Sequence, residues 1–100
     1  MKYSIEVDII NNSGYPLPVY ETEGATCCDI RNILKQPYIL EPDETYTFPT
    51  GLTVAIPVGY EIQVRSRSGL AAKEGIMVLN SPGIIDQDYR GELGVILHNT

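Results

Sequence analysis

Apolar residues in this chain recur at alternate positions, in short runs cut off by turn residues, and that rhythm permits little besides β-structure. Tyr3, Ile5, Val7 and Ile9 alternate with Lys2, Ser4, Glu6 and Asp8, the pattern of a half-buried strand. Leu52, Val54 and Ile56 alternate up to Pro57, and Tyr60, Ile62 and Val64 resume after Val58-Gly59, which predicts a hairpin. Leu93, Val95 and Leu97 predict a last strand. Asn11 to Gly14, Pro42-Asp43 and Asn80 to Gly83 carry turn chemistry, and Pro16 and Pro18 hold an extended loop. The best helical candidate is Gly69 to Glu74, enough for one turn. Short strands at close intervals predict an all-β sandwich or jelly roll. With 100 residues, no internal repeat and no linker composition, residues 1–100 read as a single domain. Seven Tyr, one Phe and no Trp point to a core built mainly from Val, Ile and Leu.

A sequence-independent nucleic-acid binder needs a basic face to displace counterions, so a net charge of −6 argues against that class. It leaves room for a single nucleotide, whose phosphates need only a few local donors and can arrive as a metal complex. The two cysteines, Cys27 and Cys28, are adjacent. A disulfide between neighbours would force a strained peptide, so both are expected reduced, as core or interface residues of a cytoplasmic protein. His98 is the sole histidine and there is no CxxC, which argues against zinc. No apolar run reaches the length of a membrane span, and no signal-peptide h-region opens the chain. Neither nucleic acid nor membrane is an expected partner.

Two stretches exceed ordinary sheet punctuation. Arg65-Ser66-Arg67-Ser68-Gly69-Leu70-Ala71 sets two cationic side chains, two hydroxyls and a glycine directly behind a strand. Gly69 lets a ligand reach the backbone, and the following turn offers free N–H groups. Ser68 can donate a hydroxyl hydrogen bond, and Arg67 can pair with carboxylate or phosphate. The same composition also describes a polar turn with an exposed basic pair. The second stretch runs from Asn80 to Glu92. Asp86 follows Ile84 and Ile85, which suggests a partly apolar environment, and Asp86 and Asp88 fall on one side of an extended segment. A carboxylate there could orient a water as general base, or meet Mg²⁺ through water. Tyr89 offers a flat face for stacking. The plain alternative is an acidic surface strand leading into a hairpin.

Together the two stretches resemble a known family. Arg67-Ser68-Gly69-Leu70-Ala71 resembles the second motif of the trimeric dUTP pyrophosphatases. Gly83 through Glu92 resembles their third, G-x-I-D-x-D-Y-R-G-E, and Asn80 falls in the hairpin between the two motifs. The resemblance covers nearly the whole chain, including the turn Pro49-Thr50-Gly51-Leu52. It implies a distorted jelly roll, or β-clip, assembled as a homotrimer with sites at subunit junctions. It implies hydrolysis of dUTP to dUMP and pyrophosphate with Mg²⁺. Asp86 would orient and deprotonate the attacking water. Asn80 and the backbone at Ile84 and Ile85 would bond uracil, and Tyr89 would pack under the deoxyribose. Arg67, Ser68 and Gly69 would hold the phosphates. Gly94 falls where the family touches its ligand with backbone atoms. Asp29 matches the acidic residue of the first motif, which supports the metal region, here through water, and pairs with the second-motif arginine.

The chain also departs from the pattern. Thr26-Cys27-Cys28 stands where Ala and Gly are usual, and Ser66 stands where Pro is common, which should loosen the loop. Family members continue past the position of Thr100 into a fourth motif ending in Gln and a Gly-rich arm that closes over the nucleotide. Without that segment the jelly roll is expected to lack its C-terminal strands and to keep an unpaired edge. One expectation is an enzyme of which these residues are a part. The other is a weakly active or inactive regulatory module that binds dUTP or dUMP without a closing arm. The dCTP deaminases share the fold but place a catalytic Glu where this chain has Ile96.

Overall fold

The fold is built outward from one strand whose alternate side chains are all buried. In the computed structural model, which describes residues 4–100, Leu52 and Val54 on β3 (Leu52–Ala55) are 5% and 4% exposed. Ile56, just beyond the strand, continues the same face, and Leu93 packs onto it from across the molecule. Burying each such side chain contributes roughly 1.5–3 kcal/mol. Val7, Ile30, Ile62 and Ile85 pack around this cluster.

Among the described residues, three small antiparallel sheets surround it, an all-β, jelly-roll-like arrangement. β1 (Asp8–Asn11) pairs with β3, with Asp8 opposite Ala55 and Asn11 opposite Leu52. β2 (Thr45–Pro49), β4 (Ile62–Val64), β5 (Ile76–Val78), β6 (Gly83–Ile85) and β7 (Gly94–Asn99) follow in chain order. β7 lies between β2 and β5, and β4 pairs with β6. The short helix α1 (Ser68–Glu74) ends at Gly75, whose left-handed φ of 66° lets its N–H turn back to the Leu70 carbonyl. Among the described residues no helix is long and apolar enough to cross a membrane.

Several expectations hold. The strand from Leu52, the strand after Leu93, the turn at Pro42-Asp43 and the helical turn near Gly69 are all present. Two are corrected. The first strand begins at Asp8 rather than near Tyr3; Ser4 to Val7 are in no strand, and Lys2 and Tyr3 lie outside the described residues. Its start is set by its partner, because Pro57 has no N–H to continue the ladder past Ala55. The predicted hairpin across Val58-Gly59 is a turn without a hairpin. Tyr60 N–H bonds the Pro57 carbonyl at 3.2 Å, but the strands on either side enter different sheets.

Asn11 closes the turn that follows β1: its side-chain oxygen accepts the Ser13 N–H at 3.0 Å and its amide donates to the Tyr15 carbonyl at 2.8 Å. Beside it, Gly51 has φ 70°, and a Cβ there would stand 2.7 Å from the Ser13 backbone, so only glycine fits. Tyr46 and Phe48 on β2 form an aromatic cluster with Tyr38, ring centroids 4.2 to 5.3 Å apart. The Tyr38 hydroxyl donates to the Glu44 carboxylate. That bond pushes the phenol up to about 12 and holds the Glu44 carboxyl below its ordinary range.

Thr50 is the one buried polar residue of the described core, 2% exposed. Its hydroxyl donates to the Leu93 carbonyl at 2.7 Å and accepts the Leu52 N–H at 3.2 Å. It thereby ties the start of β3 to the segment entering β7. Thr50→Val keeps the shape but strands both partners, so urea unfolding should show a loss of about 1–3 kcal/mol. A loss near zero would mean the hydroxyl is not holding this junction.

Candidate active site

The two motif stretches leave the β4–β6 pair at opposite ends. Val64 lies opposite Gly83 and Ile62 opposite Ile85. Asp86, which follows β6, therefore comes out beside Glu61, whereas the Arg65 to Gly69 segment, which follows β4, comes out beside Pro82. At roughly 3.3 Å per residue the pair alone separates the two ends by about 7 Å.

Ile85 is packed against the core cluster, and alternation turns the next side chain outward. Asp86 is accordingly exposed, not partly apolar as its neighbours suggested, and of those neighbours Ile84 is itself 46% exposed. The extended segment expected at Asp86 and Asp88 is instead a turn. The Tyr89 N–H bonds the Asp86 carbonyl at 3.1 Å. The Arg90 guanidinium holds that turn from outside, donating to the carbonyls of Gln87 at 2.6 Å and Tyr89 at 3.1 Å. Asp86, Gln87 and Asp88 line one wall of an open cleft of about 510 Å³, with Gly59, Tyr60 and Glu61 opposite. Three carboxylates around one cleft disfavour a bare anion and favour one that arrives with cations.

Tyr89 is fixed from two sides. Its hydroxyl donates to the Glu92 carbonyl at 2.9 Å. Its ring lies over Gly91, where a Cβ would come 2.6 Å from the hydroxyl oxygen. Gly91 was not singled out in the sequence, yet no larger residue leaves the ring in place. Asn80 folds against Gly83 in the same way, its side-chain amide 3.2 Å from where a Cβ would sit. Gly94 is also required by packing, since a Cβ would be 2.8 Å from the Thr47 methyl.

At the other end, Arg67 precedes α1, Ser68 and Gly69 open it, and all three are exposed. A Cβ on Gly69 would meet nothing within 4 Å, so packing makes no demand for glycine there. Asp29 reaches this loop: its carboxylate lies 3.6 Å from the Arg67 Nε, as expected, and both side chains are 66% exposed. So open a pair is worth only about 0–1 kcal/mol, and a phosphate can displace it readily. Ile30, next in sequence, is seated against the core and holds Asp29 in place. Cys27 and Cys28 are free and exposed, not core residues. Among the described residues no group of three or more His, Cys, Asp or Glu could hold a metal.

Ser66 reverses its expected effect. Its hydroxyl oxygen accepts the Val78 N–H at 2.9 Å in a half-buried setting. Proline could not do this, so the substitution ties the loop to β5, two residues before Asn80. In Ser66→Ala the Val78 amide should exchange with solvent markedly faster, at least several-fold, while Ser66→Thr preserves its protection. Equal protection in the alanine variant would dismiss the tie.

Residues 14–100 match the dUTPase family model. A deoxyuridine 5'-triphosphate nucleotidohydrolase of Fusobacterium nucleatum is 55% identical over 95 residues, covering 95% of this chain and 65% of that protein. One from Chlamydia felis is 55% identical over 87 residues, covering 87% of this chain and 59% of its own length. The chain thus spans about three fifths of the length of these relatives. A variant dUTPase from phage phi11 of S. aureus, solved for the coordination of a structural Mg(II) ion, superposes with TM-score 0.78 at 28% identity, over 97% of this chain and 60% of that one. A Staphylococcus phage 80alpha dUTPase variant with dUpNHpp superposes at 0.79 and 26% identity, over 98% and 60%. By family match, sequence identity and fold alike, this chain belongs to the dUTPase family.

Proposed function

We propose that this chain, as one domain, supplies the nucleotide-binding core of a homotrimeric enzyme that hydrolyses dUTP to dUMP and pyrophosphate with Mg²⁺. The carrying observation is the free edge of β6, which among the described residues pairs only with β4. An unpaired strand edge presents N–H and C=O groups in the spacing that a pyrimidine edge can meet. Asn80 bounds that edge at one end, and Asp86 and Tyr89 bound it at the other. Uracil would bond Asn80 and the backbone of Ile84 and Ile85. Tyr89, held against Gly91, would lie under the deoxyribose and leave no space for a 2′-hydroxyl.

The phosphates would extend to Arg67, Ser68 and Gly69, with the open space at Gly69 letting an oxygen approach the backbone. Gly94 would add a backbone contact. The Asp86 carboxylate would orient a water and take its proton as the water's oxygen attacks the α-phosphorus. The bond from that phosphorus to the bridging oxygen breaks, and pyrophosphate leaves. Mg²⁺ keeps several waters and binds through few carboxylates, which suits the exposed Asp29. When bound, it neutralises the triphosphate and fixes its geometry.

Because Asp86 and Arg67 leave opposite ends of the β4–β6 pair, a second copy supplying the phosphate loop accounts for the site better than one chain alone. That is the support for sites at subunit junctions. Two free cysteines fit a reducing, cytoplasmic setting.

Asp86→Asn should lower pyrophosphate release from dUTP by roughly 10²–10⁴-fold while leaving the Kd for a non-hydrolysable imido analogue nearly unchanged. An asparagine variant that turns over normally would remove Asp86 from the role of base. Tyr89→Ala should narrow the preference for dUTP over UTP, read as the ratio of kcat/KM values.

A further inference from the structure

Two exposed thiols sit on adjacent residues, one residue from the carboxylate that meets the phosphate loop. Cys27 and Cys28 are both free and exposed, and residues 27–30 belong to no strand or helix. Their disulfide is disfavoured, because the sulfurs would have to close to about 2.05 Å across a single peptide. A bridging atom relaxes that demand, since two sulfurs on one larger centre stay further apart than in a disulfide.

We propose that Cys27 and Cys28 form a bidentate thiol site for a soft, trivalent thiophilic centre of the arsenical class, and that filling it unseats Asp29 from Arg67. Neighbouring side chains in extended backbone point to opposite sides, so both sulfurs can reach one centre only if the intervening peptide rotates. The irregular backbone permits that rotation. Ile30 cannot follow it, because it is packed against the core cluster. The displacement therefore falls on Asp29, between the thiols and the anchor, and its carboxylate is held to Arg67 only by an exposed 3.6 Å contact. The chemistry balances without an oxidant. With an organoarsenic(III) oxide, two As–S bonds form, the arsenic–oxygen bond is broken, and the oxygen leaves as water with both thiol protons. Arsenic stays trivalent.

The effect on nucleotide rests on the dUTP reading, whereas capture itself does not. Phenylarsine oxide titrated into the 100-residue chain should give one adduct per chain, its mass increased by the reagent less one water. That adduct should survive excess monothiol and be stripped by a dithiol. Cys27→Ser and Cys28→Ser should each lose the stable adduct. Hydrogen exchange at the Arg67 to Leu70 amides should rise on filling, and the Kd for imido-dUTP should rise several-fold. The proposal is overturned if no stable adduct forms, if either serine variant holds it equally well, or if exchange at Arg67 to Leu70 is unchanged on filling. A chain that never binds imido-dUTP fails the nucleotide reading instead, and the mass and exchange results still decide this one.

Discussion

Four apolar side chains, Leu52, Val54, Ile56 and Leu93, hold the candidate site together from beneath. They do so through two isoleucines that pack on them. Ile30 fixes the residue before it, Asp29, and Ile85 fixes the residue after it, Asp86. Each candidate carboxylate is thus exposed to solvent yet one residue from a side chain packed against the core. An exposed group on an anchored backbone can be placed well without being desolvated, which keeps its charge available for a metal-bound phosphate or a water. Thr50 adds a polar lock to the same cluster, joining the start of β3 to Leu93 by hydrogen bonds to both.

Around that frame, the absence of side chains does as much as their presence. A Cβ at Gly91 or Gly94 would collide with Tyr89 or Thr47, and one at Gly83 would crowd the Asn80 amide. Gly69 has no such neighbour, and its open space lies in the segment proposed for phosphate. Two of these glycines therefore position candidate ligand-binding side chains, and one leaves room for the ligand itself. Arg90 belongs with them, because its bonds to the Gln87 and Tyr89 carbonyls shape the turn between Asp86 and Tyr89.

What the sequence revealed followed from locality. β3 was legible because its apolar residues alternate and are buried on one face. The turns at Pro42-Asp43 and Asn80 to Gly83 were legible because their residues carry the turn chemistry themselves. The start of β1 was not, because the ladder is limited by Pro57 on a distant partner. The supposed hairpin at Val58-Gly59 failed for the same reason: a turn is a local signal, but the choice of strand partner is not. Asp86 and Asp88 were read as extended because nothing in the spacing reveals the Arg90 bonds that curl the segment. The Asp29–Arg67 contact came from family resemblance alone, and the Ser66 tie to Val78 came from neither source.

The proposed dUTP site combines Asp86 of one copy with Arg67 of another. Mixing separates this from a site made within one chain. Asp86→Asn and Arg67→Ala proteins, each impaired alone, are unfolded together, refolded as a mixture and assayed for pyrophosphate release from dUTP. The mixture should recover turnover well above either parent, because some junctions then hold both native residues. A mixture as inactive as its parents would contradict it.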